Sequence, residues 1–130
     1  MKPPVNLDDL MEMWSKDSQI DETEPGRELV KIPTLHSKYL RIMTHHNLIC
    51  KKLQNDYVKR KRVMWEYYNG DLNNPEDLEA NNLPPFVKKV LRQDIPIYLD
   101  SDSELNTILM KKTLHQEIVD YCGLVLKELN

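Results

Sequence analysis

A hydrophobic repeat at helical spacing runs through residues 34–68 and limits this chain more than anything else in it. Leu35, Tyr39, Ile42, His46, Ile49 and Leu53 alternate steps of four and three, and after one further step of four Tyr57, Arg60, Met64 and Tyr67 resume the pattern. The mean spacing is close to the helical period, and the step from Leu53 to Tyr57 reads as a stutter. One helix should therefore span these residues and stop at Gly70. At ~1.5 Å per residue it is on the order of 50 Å long. A helix of that length buries little area by itself, so its stripe must be covered by other helices or by a second copy of the chain.

The flanking sequence supplies the cover. Asn6 can cap a short helix with Asp8 and Asp9 in its first turn and Leu7, Leu10, Met11 and Trp14 on its apolar face. Residues 17–24 read as a polar linker. Pro25 suits the first position of a helix through residues 27–32, and Pro33 should kink or break the path. Residues 71–85 read as loop with a turn of helix at 75–79, residues 86–92 as a short helix carrying Lys88, Lys89 and Arg92, and residues 96–99 as an extended segment. Ser101 and Glu104 have capping-box spacing before a last helix that runs to about Leu129. Its stripe is Leu105, Ile108, Lys112, His115, Val119, Cys122, Leu126 and Leu129, widened by Leu109, Ile118 and Val125. A face that broad suits packing between subunits as well as within one, and His115 is a polar residue able to set register there. The expected fold is all-α: two long helices, shorter helices and a short extended segment, in one compact unit.

Charge is segregated along the 130 residues. Residues 1–30 carry three cations and eight anions, residues 31–70 nine and two, and residues 71–130 six and eleven, so a middle of +7 lies between two ends of −5. Such blocks favour an anionic partner at one place. The densest run is Lys59, Arg60, Lys61 and Arg62, followed at once by Trp65, Tyr67 and Tyr68. On a helical wheel Lys51, Lys52, Lys59 and Arg62 fall opposite the apolar stripe, Arg60 falls within it and Lys61 on one flank. Cations there can neutralise phosphates, and Trp65 and Tyr68 can stack on unpaired bases, while Tyr67 falls on the stripe and belongs to the core. The competing reading is a solvated helix face whose cations suit the helix dipole. The basic helix lacks the turn and second helix of a helix-turn-helix reader, so sequence-tolerant binding is the inference.

Other chemistries find little support. Cys50 and Cys122 are too few for a disulfide scaffold and fit a reducing compartment. His46 and Cys50 share a helix face near His36 and His45 but lack a paired cysteine motif, so no metal is expected. Asp100, Asp102 and Glu104 start like a calcium loop, but its sixth position is Leu105 and its twelfth Lys111. Phosphate-cradling and nucleophile-elbow motifs are absent from the sequence, and neither an enzyme nor a cofactor is expected. Met1, Lys2, Pro3 and Pro4 lead into acidic sequence, and residues 42–50 form the longest uncharged stretch, so the expectation is a soluble intracellular protein without a membrane span.

The order of short motifs resembles the UvsY-like recombination mediators of T-even-like phages. The matching pieces are Trp14-x-Lys16-Asp17, Ile20-Asp21-x-Thr23, and His36 through Leu40. They continue with the basic run ending in Tyr67-Tyr68-Asn69-Gly70, then Val90-Leu91-x-x-Asp94, Leu99-Asp100, and Ile118 through Cys122. The resemblance implies a non-enzymatic protein that binds single-stranded DNA and forms a ring-like homo-oligomer, hexamer or heptamer, through its C-terminal region. It implies contact with a RecA-like recombinase and with a single-stranded DNA-binding protein, which the recombinase displaces as the presynaptic filament nucleates. It places the protein in the cytoplasm of an infected bacterial host. The family's basic motif has Lys and, two residues on, Arg before the tyrosine pair. Here those positions hold Arg62 and Met64, so Lys59, Arg60 and Lys61 would supply charge one turn earlier. Residues 1–100 are then the DNA-binding helical region and residues 101–130 the oligomerisation helix, with Asp120, Tyr121 and Cys122 assigned to assembly. The alternative is a coiled-coil structural or adaptor protein whose basic block binds an acidic protein.

Overall fold

The structure, a computed structural model, describes residues 6–86 and 88–130. Those residues form α1 (Leu7–Asp17), α2 (Pro25–Asn69), α3 (Pro75–Ala80), α4 (Ile95–Asp100) and α5 (Ser103–Leu129), with one 3-10 turn at Arg92–Asp94. Among the described residues there is no strand. No helix among them is long and apolar enough to cross a membrane.

Local chemistry accounts for most helix ends. Asn6 caps α1 by accepting the Asp9 amide at 2.8 Å. Asn74 caps α3 by accepting the Glu76 amide at 2.9 Å, with Pro75 in the first turn. Gly70 ends α2 with φ +87°, a torsion that an L side chain rarely adopts.

Four expectations are corrected. The path does not break at Pro33, which lies inside the continuous 45-residue α2. Leu29, whose carbonyl Pro33 cannot pair, is 70% exposed, so water has access on that side of the helix. Residues 96–99 are helical, not extended: Pro96 sits in the first turn of α4, and Ile95 and Leu99, four apart, are its buried pair. Phe86 and residues 88–91 are not helical, and helical turns begin only at Arg92. The Phe86 ring lies 5.0 Å from Tyr67 and 5.4 Å from Tyr68, so side-chain burial rather than a backbone ladder holds this stretch. Last, the cap of α5 is Asp102, which accepts the Leu105 amide at 3.0 Å, one residue later than the capping-box reading from Ser101.

The chain divides into two compact units, residues 1–52 with 111–130 and residues 53–110. This structural division cuts the chain elsewhere than the 1–100 and 101–130 division of roles. It also coincides with the stutter between Leu53 and Tyr57. In the first unit Leu10, Leu35, Tyr39, Ile42, Ile118, Cys122 and Val125 form the core. The Trp14 ring meets Tyr39 edge-on at 5.4 Å, and the Tyr39 hydroxyl donates to Asp17 at 2.9 Å. Asp17 also takes the Lys38 ammonium, which ties the end of α1 to α2. Further along, His46 is 2% exposed, and its Nδ1 lies 2.8 Å from Nδ1 of His115, so one ring donates and the other accepts. Cys50 donates to the Lys112 carbonyl at 3.7 Å. In the second unit the core is Met64, Tyr67, Leu78, Ile95, Leu99 and Leu105.

Ile118 and Leu105, each 1% exposed, are side chains of α5 in the first and the second core. Ile118→Ala and Leu105→Ala should each destabilise the fold by about 2–5 kcal/mol, because a cavity is added to the lost transfer energy. Urea unfolding followed by far-ultraviolet circular dichroism measures both.

Candidate nucleic-acid interface

The last three turns of α2 lie in the second unit and carry the basic run. Their geometry follows from the wheel. Met64 and Tyr67 point into the core, and the Tyr67 hydroxyl donates to the Pro84 carbonyl at 2.7 Å. Burial pushes the Tyr67 hydroxyl up from its ordinary range. Residues 59, 61 and 62 are thereby left on the outside, and all three are exposed.

Arg60 is drawn inward. Its side chain is 16% exposed, and Nη2 pairs with Oε2 of Glu104 at 2.8 Å. Nη1 donates to the Asn81 carbonyl at 3.2 Å, at the residue that ends α3. Nε is buried with no hydrogen-bond partner among the described residues. One guanidinium therefore links α2 to the end of α3 and the start of α5. Of the four consecutive cations, it is the one turned away from solvent.

The aromatic residues divide in the same way. Tyr68 is packed against Tyr67, Phe86 and Tyr98, with ring centres 5.3, 5.4 and 5.3 Å away, and its hydroxyl donates to Oδ2 of Asp102 at 3.0 Å. Three ring neighbours and that hydrogen bond tie Tyr68 to the second core. Trp65 is partly buried against the same core but lines an open groove with Tyr57, Val58, Lys61 and Arg62. Lys61 Nζ lies 5.6 Å from the Tyr57 ring centre, within cation–π range. Arg62 reaches Glu66 at 3.6 Å across one turn while its side chain stays 84% exposed, so that pair holds it weakly. The arrangement offers two aromatic surfaces flanked by cations, which suits an unpaired base beside its phosphate. Tyr57 packs against the same core, as its place on the apolar stripe predicts, and also lines this groove. Its signal is the step of four from Tyr57 to Lys61 to Trp65, which stacks the three on one helix face.

Lys51 and Lys52 are exposed on α2 in the first unit. The stripe assigned to assembly is placed largely inside the protomer. Leu105 belongs to the second core and Cys122 to the first, with Leu126 and Leu129 packed against the latter. Val119 is buried, while Ile108, Lys112 and His115 are partly exposed. A different set on α5 is open: Met110, Leu114 and Leu124 are 61, 59 and 61% exposed. Among the described residues no group of three or more His, Cys, Asp or Glu side chains could hold a metal ion.

A family model described as "Recombination, repair and ssDNA binding protein UvsY" matches residues 13–130. Among solved structures, the crystal structure of the bacteriophage T4 recombination mediator protein UvsY superposes with a TM-score of 0.82 at 18% identity, covering 97% of this chain and 86% of that one. At that identity the likeness speaks for the fold. No curated protein sequence matches the chain.

The Tyr68–Asp102 contact makes stability depend on pH. Burial first, and then the hydrogen bond to Asp102, pushes the Tyr68 hydroxyl from its ordinary 10.0 up to about 12. The folded chain keeps a proton that the unfolded chain releases, so this contribution is whole below pH 10.0 and is lost as pH rises through about 12. Tyr68→Phe should therefore flatten the alkaline fall of Tm in that interval. Asp102→Ala removes the cap and the phenol's acceptor together and should cost about 1–3 kcal/mol at neutral pH, read from the same melts.

Proposed function

The chain belongs to the UvsY family of recombination, repair and single-stranded DNA-binding proteins, and from that premise we propose that it is a recombination mediator acting on single-stranded DNA. The observation that carries the reading is the open groove of Tyr57, Lys61, Arg62 and Trp65 beside the exposed Lys59. Lys59, Lys61 and Arg62 neutralise phosphates, Trp65 and Tyr57 take up a base, and Lys51 and Lys52 add charge on the same helix. Arg60 and Tyr68 act as positioning residues: they fix the end of α2 through Glu104, Asn81 and Asp102 and so hold the groove in shape.

Binding by one copy is weak with so few cations. Assembly of several copies, which the open Met110, Leu114 and Leu124 on α5 support, raises the effective concentration of each next contact along one strand. A ring-like hexamer or heptamer is the form taken over from the family resemblance. The assembled protein holds the strand in a path that a RecA-like recombinase accepts better than a competing single-stranded DNA-binding protein does. A mediator of this kind must favour one of two bound states, since equal affinity for both shifts nothing. Its contribution is binding and presentation of the strand, not bond chemistry.

Replacing Lys59, Lys61 and Arg62 together by Ala should lower affinity for a labelled single-stranded oligonucleotide at least tenfold at low salt. The log–log salt slope should shrink by about 2 per protomer engaged, from three phosphate contacts at roughly 0.7 each. Fluorescence anisotropy at several salt concentrations checks this, with circular dichroism to show that the fold persists. An unchanged affinity would remove the assignment, and a preference for duplex would make the protein an architectural DNA binder instead. Arg60→Ala serves as the contrast. It should lower Tm, and at temperatures where the variant remains folded the salt slope should stay unchanged.

A further inference from the structure

The first unit carries a second surface whose chemistry is opposite to that of the basic groove. Between the end of α1 and the first turns of α2 lies an open groove of about 640 Å³. Its apolar floor includes Trp14, Ile20, Leu29, Ile32 and Leu129. Ile20 and Leu29 are 75 and 70% exposed, which leaves a contiguous patch of apolar side chains open to water. Around them stand Asp21, Glu22, Glu28 and Glu128.

Charge decides what this groove can accept. Lys31 is the cation among its lining residues, and it is occupied: Nζ donates to the Gln19 carbonyl at 3.0 Å and pairs with Glu28 at 3.7 Å. Asp21 is fixed in place by the Thr23 hydroxyl at 2.6 Å and the Thr23 amide at 3.0 Å, and these bonds hold its carboxyl below its ordinary range. Glu22 and Glu128 are exposed and take part in none of the ion pairs among the described residues. An apolar floor inside an anionic rim rejects nucleic acid and any acidic segment. It favours a chain that presents apolar side chains on one face and Lys or Arg beside them.

We propose that this groove is a docking surface for a cationic amphipathic segment of a protein partner. The partner's apolar residues cover Ile20 and Leu29, and its cations meet Glu22 and Glu128. The surface draws on a set of charges opposite in sign to those at the basic end of α2. This inference stands on the groove alone and survives if the DNA reading fails.

The test uses the full chain with Trp65→Phe, so that Trp14, in the groove, is the sole remaining tryptophan. The probe is a synthetic fluorescein-labelled peptide with Leu and Lys at amphipathic helical spacing. Its controls are a scrambled peptide of the same composition and a version with Glu in place of Lys. The expected result is saturable binding of the first peptide with a change in Trp14 emission, and at least tenfold weaker binding of both controls. Leu29→Lys, and separately Glu22→Gln with Glu128→Gln, should each weaken the first peptide at least fivefold. All three substitutions are at exposed positions, so the fold should persist. Equal binding of the scrambled peptide, or affinity unmoved by both variants, would overturn the proposal. So would a fall in the assembled mass of Leu29→Lys by light scattering, since that would make the occupant a second copy of this chain.

Discussion

A helix of 45 residues cannot shelter its own apolar side, and that single debt organises the molecule. Every other element acts as cover for part of α2. In one unit α1 and the later turns of α5 lie over Leu35, Tyr39 and Ile42. In the other, α3, α4 and the start of α5 surround Met64 and Tyr67. Where apolar cover thins out in the first unit, the stripe turns polar and its groups find partners: His46 meets His115, and Cys50 meets a backbone carbonyl. Covering one side of α2 determines what is left on the other. The exposed cations at its C-terminal end are a consequence of burying the residues between them.

The same logic divides a run of like side chains into different tasks. Tyr67 and Tyr68 follow one another, yet both hydroxyls are committed to acceptors within the fold, Pro84 and Asp102. Trp65 and Tyr57, set eight residues apart, share an open face with Lys61. What sorts them is angular position around the helix axis, which changes by about 100° at each residue.

Much of this was legible in the chain. The stripe on α2, the Asn6 cap, the stop at Gly70 and the placement of Arg60 among apolar residues follow from spacing and from local chemistry. The errors share a cause. Ile95, Ile97 and Tyr98 have strand-like propensities, but Pro96 presets a helical first turn and the buried pair is four residues apart. Residues 88–91 have helix formers, but Phe86 is held by two tyrosines that no local pattern reveals. The α5 stripe reads equally well as an interface or as a core, because a periodic apolar face does not name its partner. Asp102 and Glu104, which fix the site's scaffold, lie on a later part of the chain and meet α2 only through the fold. The acidic groove was likewise visible only as an excess of anions near the start.

Arg60 also sets a limit on sequence drift. Its planar fork reaches a carboxylate with one nitrogen and a carbonyl with another, across two different elements. A lysine ammonium is a compact point charge on a flexible stem and does not present that planar fork. A charge-conserving exchange would therefore be almost silent at positions 59, 61 and 62 and disruptive at position 60. In related chains, guanidinium should be retained at the one position of the basic run that turns inward, while its neighbours interchange freely.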